Sequence, residues 1–214
     1  MMISSKFGVI FIKNPKAASE SIEAAFKAQD PNAFFGERDK GAHGHDTPAA
    51  IKNMAGKKWD TFLKVAVLRD PYDWILSLYK YTAEQRFPFA SAKWVMAPNI
   101  HLNHAFRKTG VIEADDLINL YLMQKRWFRH LGSYRQVDWV LPDCFILKYE
   151  ELDNHWGQLN EVLNTKIELG HINKGPWRDK RVELDKDAKK LFEILWKEDI
   201  EFYENCSFCS TKTN

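Results

Sequence analysis

The chain has 214 residues, 45% of them hydrophobic and 28% charged, with a formal net charge of +2. That length and apolar content suit one domain, residues 1–214, with a sizeable core. The near balance of charge argues against bulk binding to nucleic acid, so an anion site has to be built locally from a few placed groups.

The N-terminal residues run into a short apolar stretch, Val9 to Ile12, too short for a signal-peptide core and without a small-residue cleavage site after it. No run of about 18 apolar residues occurs, so no membrane span is expected and a cytoplasmic location is the default. Phe7 to Lys13 reads as a strand stopped by Asn14-Pro15. Ile22, Ala25 and Phe26 recur at helical spacing over Ser19 to Gln29, and Pro48 suits the first turn of a short helix over Thr47 to Ala55. Phe62 to Leu68 is a near-continuous apolar run, the pattern of a strand covered on both faces.

Asp70-Pro71 opens a helix striped by Trp74, Ile75, Leu78 and Tyr79. Residues 86–110 fit no periodicity, are rich in aromatics, contain His101 and His104, and have the position of an acceptor-side insertion. Glu113 to Leu131 is a longer helix interrupted on its apolar stripe by Gln124, a candidate for facing a cleft. A strand over Cys144 to Tyr149, a helix over Glu151 to Leu163 and a last helix over Asp187 to Tyr203 complete the pattern. Alternating strands and helices predict an α/β three-layer fold with a central parallel sheet. Ligands in such sheets bind beyond the carboxyl ends of the strands. The segments after Lys13, Leu68 and Tyr149 are therefore expected to meet.

The three cysteines, Cys144, Cys206 and Cys209, do not form a disulfide framework. The single C-x-x-C near the C-terminus has no second ligand pair, so two reduced thiols are expected rather than zinc. His43 and His45 form an H-x-H without an evident third ligand, and no metal site is expected.

Two segments carry the chemistry. In the first, Lys13 to Ile22, a strand leads through a tight turn into a helix. Small residues Ala17, Ala18 and Ser19 let backbone N–H groups close around an anion, the helix start adds partial positive charge, Lys16 adds a full one and Ser21 a hydroxyl. The Walker A pattern G-x-x-x-x-G-K-[ST] is absent. In the second, Arg69 ends a strand, where its guanidinium can fork onto a phosphate, and Ser77 follows on the next helix, able to share that anion.

Together the two segments resemble the donor-binding signatures of the sulfotransferase superfamily that uses 3′-phosphoadenosine 5′-phosphosulfate (PAPS), in the branch containing heparan sulfate 2-O-sulfotransferase and the carbohydrate sulfotransferases. Pro15 to Ser21 is similar to its P-K-x-x-[ST]-[ST]-S loop, and Arg69 to Tyr79 to its R-[ND]-P-[YW]-[DE]-R-x-x-S-x-[YW] run. Further likeness follows in order: His45-Asp46-Thr47 to Ile51, Trp59, Lys148-Tyr149-Glu150-Glu151-Leu152, His171-Ile172-Asn173-Lys174-Gly175, and Asp199 to Tyr203. Two departures stand out, Glu20 where the family has Thr or Ser and Trp74 where it has Arg or Lys.

The resemblance implies a P-loop NTPase-like fold and sulfuryl transfer from PAPS, with adenosine 3′,5′-bisphosphate as product, to a hydroxyl or amine of a small-molecule or glycan acceptor, without a metal. It implies that Lys16, Ala17, Ala18, Ser19, Glu20 and Ser21 surround the 5′-phosphosulfate and that Arg69 and Ser77 hold the 3′-phosphate, with Lys174 and Gly175 adding donor contacts. Lys16 would stabilise the leaving oxygen. His45 aligns with the family's histidine as catalytic base, with His43 as the alternative. Trp177 and Arg178 are candidates for stacking on adenine and for a phosphate contact. A P-loop-type kinase and a nucleotide-binding homologue impaired at Glu20 are the competing readings.

Overall fold

The computed structural model describes residues 1–36, 46–84, 110–127, 135–170 and 182–206. Strands β1 (Met2–Ser4) and β2 (Val9–Ile12) form an antiparallel hairpin, with Ser4 opposite Val9 and Gly8 taking the left-handed φ of 64° that closes the turn. Helix α1 (Ser19–Gln29) follows, then β3 (Phe34–Phe35), which pairs antiparallel with β1. Helices α2 (Pro48–Ala55) and α3 (Lys58–Thr61) lead into β4 (Leu63–Leu68), and α4 (Pro71–Glu84) leaves it. After β5 (Val111–Ile112) come α5 (Ala114–Trp127), a 3₁₀ turn at Gln136–Asp138, β6 (Phe145–Lys148), and α6 (Leu152–Val162). The last elements are β7 (Glu183–Leu184), α7 (Lys186–Leu195) and α8 (Lys197–Asn205).

The main sheet has the order β3-β1-β2-β4-β6. Its β2, β4 and β6 members are parallel, as the apolar runs predict. The sheet as a whole is mixed rather than purely parallel, because β1 and β3 add antiparallel strands at one edge. Such an edge needs only a short hairpin, whereas each parallel pair needs a crossover. A separate two-stranded ladder joins β5 and β7 in parallel.

Alternation along the three parallel strands splits the core in two. Val9, Phe11, Val65, Val67, Phe145 and Leu147 pack against Ile22 and Phe26 of α1 and Trp156 and Leu159 of α6. Ile10, Ile12, Ala66, Leu68 and Ile146 pack on the other face with Ile51 of α2, Trp59 of α3, Trp139 and Phe202 of α8. The central strands are thus flanked by helices on both faces, which is why they read as continuous apolar runs. A third core lies among α4, α5 and α7: Trp74, Ile75, Leu78, Leu117, Leu120, Phe192 and Trp196 are buried in it.

The single C-terminal helix predicted over Asp187 to Tyr203 is two. Trp196 sits at the junction with φ −111° and ψ 20°, fully buried in the third core, while Phe202 and Tyr203 pack on the sheet core. One straight rod does not serve both cores, and the break falls where the chain changes from one to the other. Among the described residues no helix is long and apolar enough to cross a membrane.

Candidate functional site

Parallel register brings the ends of β2, β4 and β6 to one side of the sheet, with Ile12 beside Ala66 and Leu68 beside Lys148. The segments that follow these strands therefore meet, as expected from the sequence. Arg69 Nη1 donates to the Lys16 carbonyl at 3.2 Å, and the Arg69 guanidinium lies over the Tyr149 ring at 4.3 Å.

The turn after β2 is built without glycine, yet Lys16 and Ala18 both have left-handed φ, 58° and 54°. A non-glycine residue there costs about 1–2 kcal/mol, so the conformation is held by its surroundings. Trp74 Nε1, fully buried on α4, donates to the Pro15 carbonyl at 2.7 Å. Arg69 fixes the Lys16 carbonyl, and Ala18 O begins the α1 ladder by accepting from Ile22 N at 3.1 Å. With these carbonyls turned to protein donors, the N–H groups of Ala17, Ala18 and Ser19 meet no acceptor among the described residues. Consecutive unpaired amides at a helix start form an anion-binding concavity. Trp74, one of the two departures from the pattern these segments resemble, serves as a clamp on this turn.

Glu20, the other departure, is tied by Lys13. The Lys13 ammonium, almost wholly buried, bridges Glu20 Oε1 at 2.7 Å and Glu23 Oε2 at 2.6 Å. Lys13 thus offsets part of the negative charge on the first turns of α1. In sequence Lys13 reads as the end of a strand, and its role is legible only as a buried cation that needs carboxylates three residues apart on one helix face.

Arg69 forms no ion pair among the described residues, with Asp70 or Asp73 or any other carboxylate, and its buried Nε has no acceptor among them. Asp70 instead caps α4: its carboxylate accepts from Asp73 N at 3.0 Å and its carbonyl from Trp74 N at 2.8 Å. Ser77 lies half-buried on α4, and among the described residues no hydrogen bond links it to Arg69. Tyr79 is buried in the third core and donates to Asp116 Oδ2 at 3.2 Å; burial, foremost, and the neighbouring carboxylate push its phenol well above the usual range.

The Lys148 to Leu152 motif acquires a structural meaning here. Tyr149 underlies Arg69, and Glu150 accepts from Asp70 N at 2.9 Å and from the Tyr203 hydroxyl at 3.0 Å. Lys148 lies over the Tyr203 ring at 4.7 Å. The motif thereby joins the end of β6 to the start of α4 and to α8.

Gln136 carries no motif, and Asp199 enters the sequence reading only as the start of the Asp199 to Tyr203 likeness, yet both sit behind the site. Gln136 Oε1 accepts from Arg69 N at 3.1 Å and from Asn14 Nδ2 at 3.2 Å, while Nε2 donates to Arg69 O at 2.8 Å. Asn14 Nδ2 also donates to Val67 O at 3.1 Å. Asp199 accepts from the N–H groups of Gln136 (3.2 Å) and Val137 (3.0 Å). Its burial pushes the carboxyl up to about 6, against the lowering effect of those N–H groups and of Arg135.

His43 and His45, the candidate bases, lie outside the described residues, as do Lys174, Gly175, Trp177, Arg178, His101 and His104. Residues 86–109 of the expected insertion also lie outside, and so does the side chain of Gln124 in α5. Thr47, next to that histidine segment, N-caps α2 by accepting from Ala50 N at 3.3 Å, with Pro48 in the first turn as predicted. Among the described residues no group of three or more His, Cys, Asp or Glu is arranged to hold a metal ion.

No family model, curated protein or solved structure matches this chain.

Proposed function

We propose that the chain transfers a sulfuryl group from PAPS to a hydroxyl or amine acceptor, on a P-loop NTPase-like frame. The observation that carries this reading is the contact between Arg69 and Lys16: a guanidinium without a carboxylate partner among the described residues touches an amide-lined turn at a helix start. Two anion grips this close suit one nucleotide with phosphoryl groups on both its 3′ and 5′ positions. The turn takes the 5′-phosphosulfate, Arg69 the 3′-phosphate.

In the proposed reaction the acceptor oxygen or nitrogen attacks sulfur in line with the bond to the 5′-phosphate oxygen. The new S–O or S–N bond forms as the old S–O bond breaks, and adenosine 3′,5′-bisphosphate leaves with that electron pair. The amides of the turn and the Lys16 ammonium take up the charge on the leaving oxygen. The acceptor proton goes to a base, assigned by resemblance to His45, with His43 as the alternative. The acceptor class is a small molecule or a glycan.

Isothermal calorimetry tests the reading. Adenosine 3′,5′-bisphosphate should bind without magnesium and more tightly than ATP with it. Tighter binding of ATP with magnesium supports the kinase reading instead. Incubation with PAPS and an acceptor library should give a mass gain of about 80 Da, one SO₃ group, as the transferred unit; release of bisphosphate without such a gain would leave hydrolysis, not transfer.

A further inference from the structure

Gln136 touches both anion-gripping segments from behind and belongs to neither. It is fully buried and its carboxamide is spent on three hydrogen bonds: two hold Arg69 at N and O, one holds Asn14, the residue before Pro15. The amide can face only one way. Arg69 N donates, so it must meet Oε1, and Arg69 O accepts, so it must meet Nε2. Its backbone is in turn fixed by Asp199 of α8, and its carbonyl accepts from Trp139 N at 2.9 Å. The β2–β4 ladder does not do this work, because it ends at Ile12 and Ala66, before Asn14 and Arg69.

From these contacts we infer that Gln136 is a positioning residue: it sets the spacing between the Pro15–Ser21 turn and Arg69, so that a ligand with two anionic groups engages both at once. This rests on the proposed function, in which the two segments hold opposite ends of one nucleotide. A rigid ligand held at two points gains affinity over either point alone only when the points match its span. Loss of the clamp leaves only the Asn14–Val67 and Arg69–Lys16 hydrogen bonds between the two segments, so their spacing loosens and the gain from joining the two phosphates falls. Each separate grip keeps its own groups and changes little.

The readout is the chelate advantage: the affinity for adenosine 3′,5′-bisphosphate divided by that for the tighter of adenosine 3′-monophosphate and adenosine 5′-monophosphate. Wild-type protein should show an advantage of roughly 100-fold or more, within the range for linked sites. Gln136→Glu keeps the size but sets a carboxylate oxygen against Arg69 O. It should cut the advantage by about tenfold or more while the monophosphate affinities move less than about threefold, because only the linkage is lost. Should that variant fail to melt cooperatively, Gln136→Asn, one methylene short of reaching both partners, is measured by the same criterion. An undiminished advantage in a folded variant, or equal weakening of all three ligands, overturns the positioning role and leaves the donor reading intact. A wild-type protein with no bisphosphate advantage overturns the donor reading, and this inference falls with it.

Discussion

Arg69 Nη1 lies 3.2 Å from the carbonyl oxygen of Lys16, so the cation of one strand end is bonded to the backbone of the next. The two segments are a single surface, and a change in either is felt by both. Arg69→Ala removes the forked donor and frees the Lys16 carbonyl. Affinity for adenosine 3′,5′-bisphosphate should fall by about 2–4 kcal/mol, the scale of a lost charge-assisted contact. Calorimetry measures it, and unchanged affinity counts against the assignment of the 3′-phosphate to Arg69.

Trp74→Phe keeps an aromatic ring in the core, loses the five-membered part of the indole and deletes the one N–H that reaches Pro15 O, so a small cavity adds to the lost hydrogen bond. Leaving a buried carbonyl unsatisfied should lower stability by about 1–3 kcal/mol. Donor affinity should fall as well, since the left-handed turn at Lys16 and Ala18 loses a restraint. Urea unfolding and calorimetry on the same variant separate the two effects.

Lys13→Met leaves Glu23 in a largely buried place without its cation. The cost should be about 3–5 kcal/mol, as for other broken buried pairs. Glu20→Ser removes a half-exposed carboxylate, so stability should stay within about 1 kcal/mol. Bisphosphate affinity should rise, because a negative charge leaves the turn. A fall in affinity would mean that Glu20 contacts the ligand favourably.

Asp199 predicts a pH dependence. Burial, opposed by the N–H groups of Val137 and Gln136 and by Arg135 and aided by Asp138, raises its carboxyl to about 6 from 3.8. The folded protein therefore binds that proton more tightly than the unfolded chain. The stabilisation is fully present below about pH 3.8 and is lost as pH rises through about 6. Asp199→Asn cannot ionise, so between pH 4 and 7.5 wild-type stability should decline relative to the variant by roughly 2.5 kcal/mol. Thermal melts of both proteins across that range check it, and parallel curves would remove Asp199 as the titrating group.

Cys144 should resist alkylation in the folded state. It is fully buried, and desolvation pushes its thiol up to about 12, leaving almost no thiolate at neutral pH. Peptide mapping after iodoacetamide treatment, with and without urea, should show it labelled only when the chain is unfolded.

The three parallel strands were legible because burial on both faces leaves continuous apolar runs, and α1 and α2 because Ile22, Phe26 and Pro48 announce their periodicity and start. Strands β1 and β3 were not legible. Three residues and two residues are too few to show alternation, and their pairing is decided by where the hairpin and Phe34 meet in space. The site was legible in outline through Lys16 and Arg69, which carry charge at strand ends. Gln136, Trp74 and Lys13 were not, since their contribution lies in partners far away in sequence. Gln136 bonds residues 67 and 122 positions distant, and nothing beside it in the chain hints at either.

Trp74 is at once a member of the third core and the donor to Pro15, so the cluster formed by α4, α5 and α7 has a tether in the turn. Whatever steadies Pro15 restrains that indole, and with it the packing that Trp74 shares with Phe192 and Trp196. An anion held by the turn should therefore be felt in a layer of the molecule remote from Pro15 to Ser21, as slower amide exchange in α5 and α7.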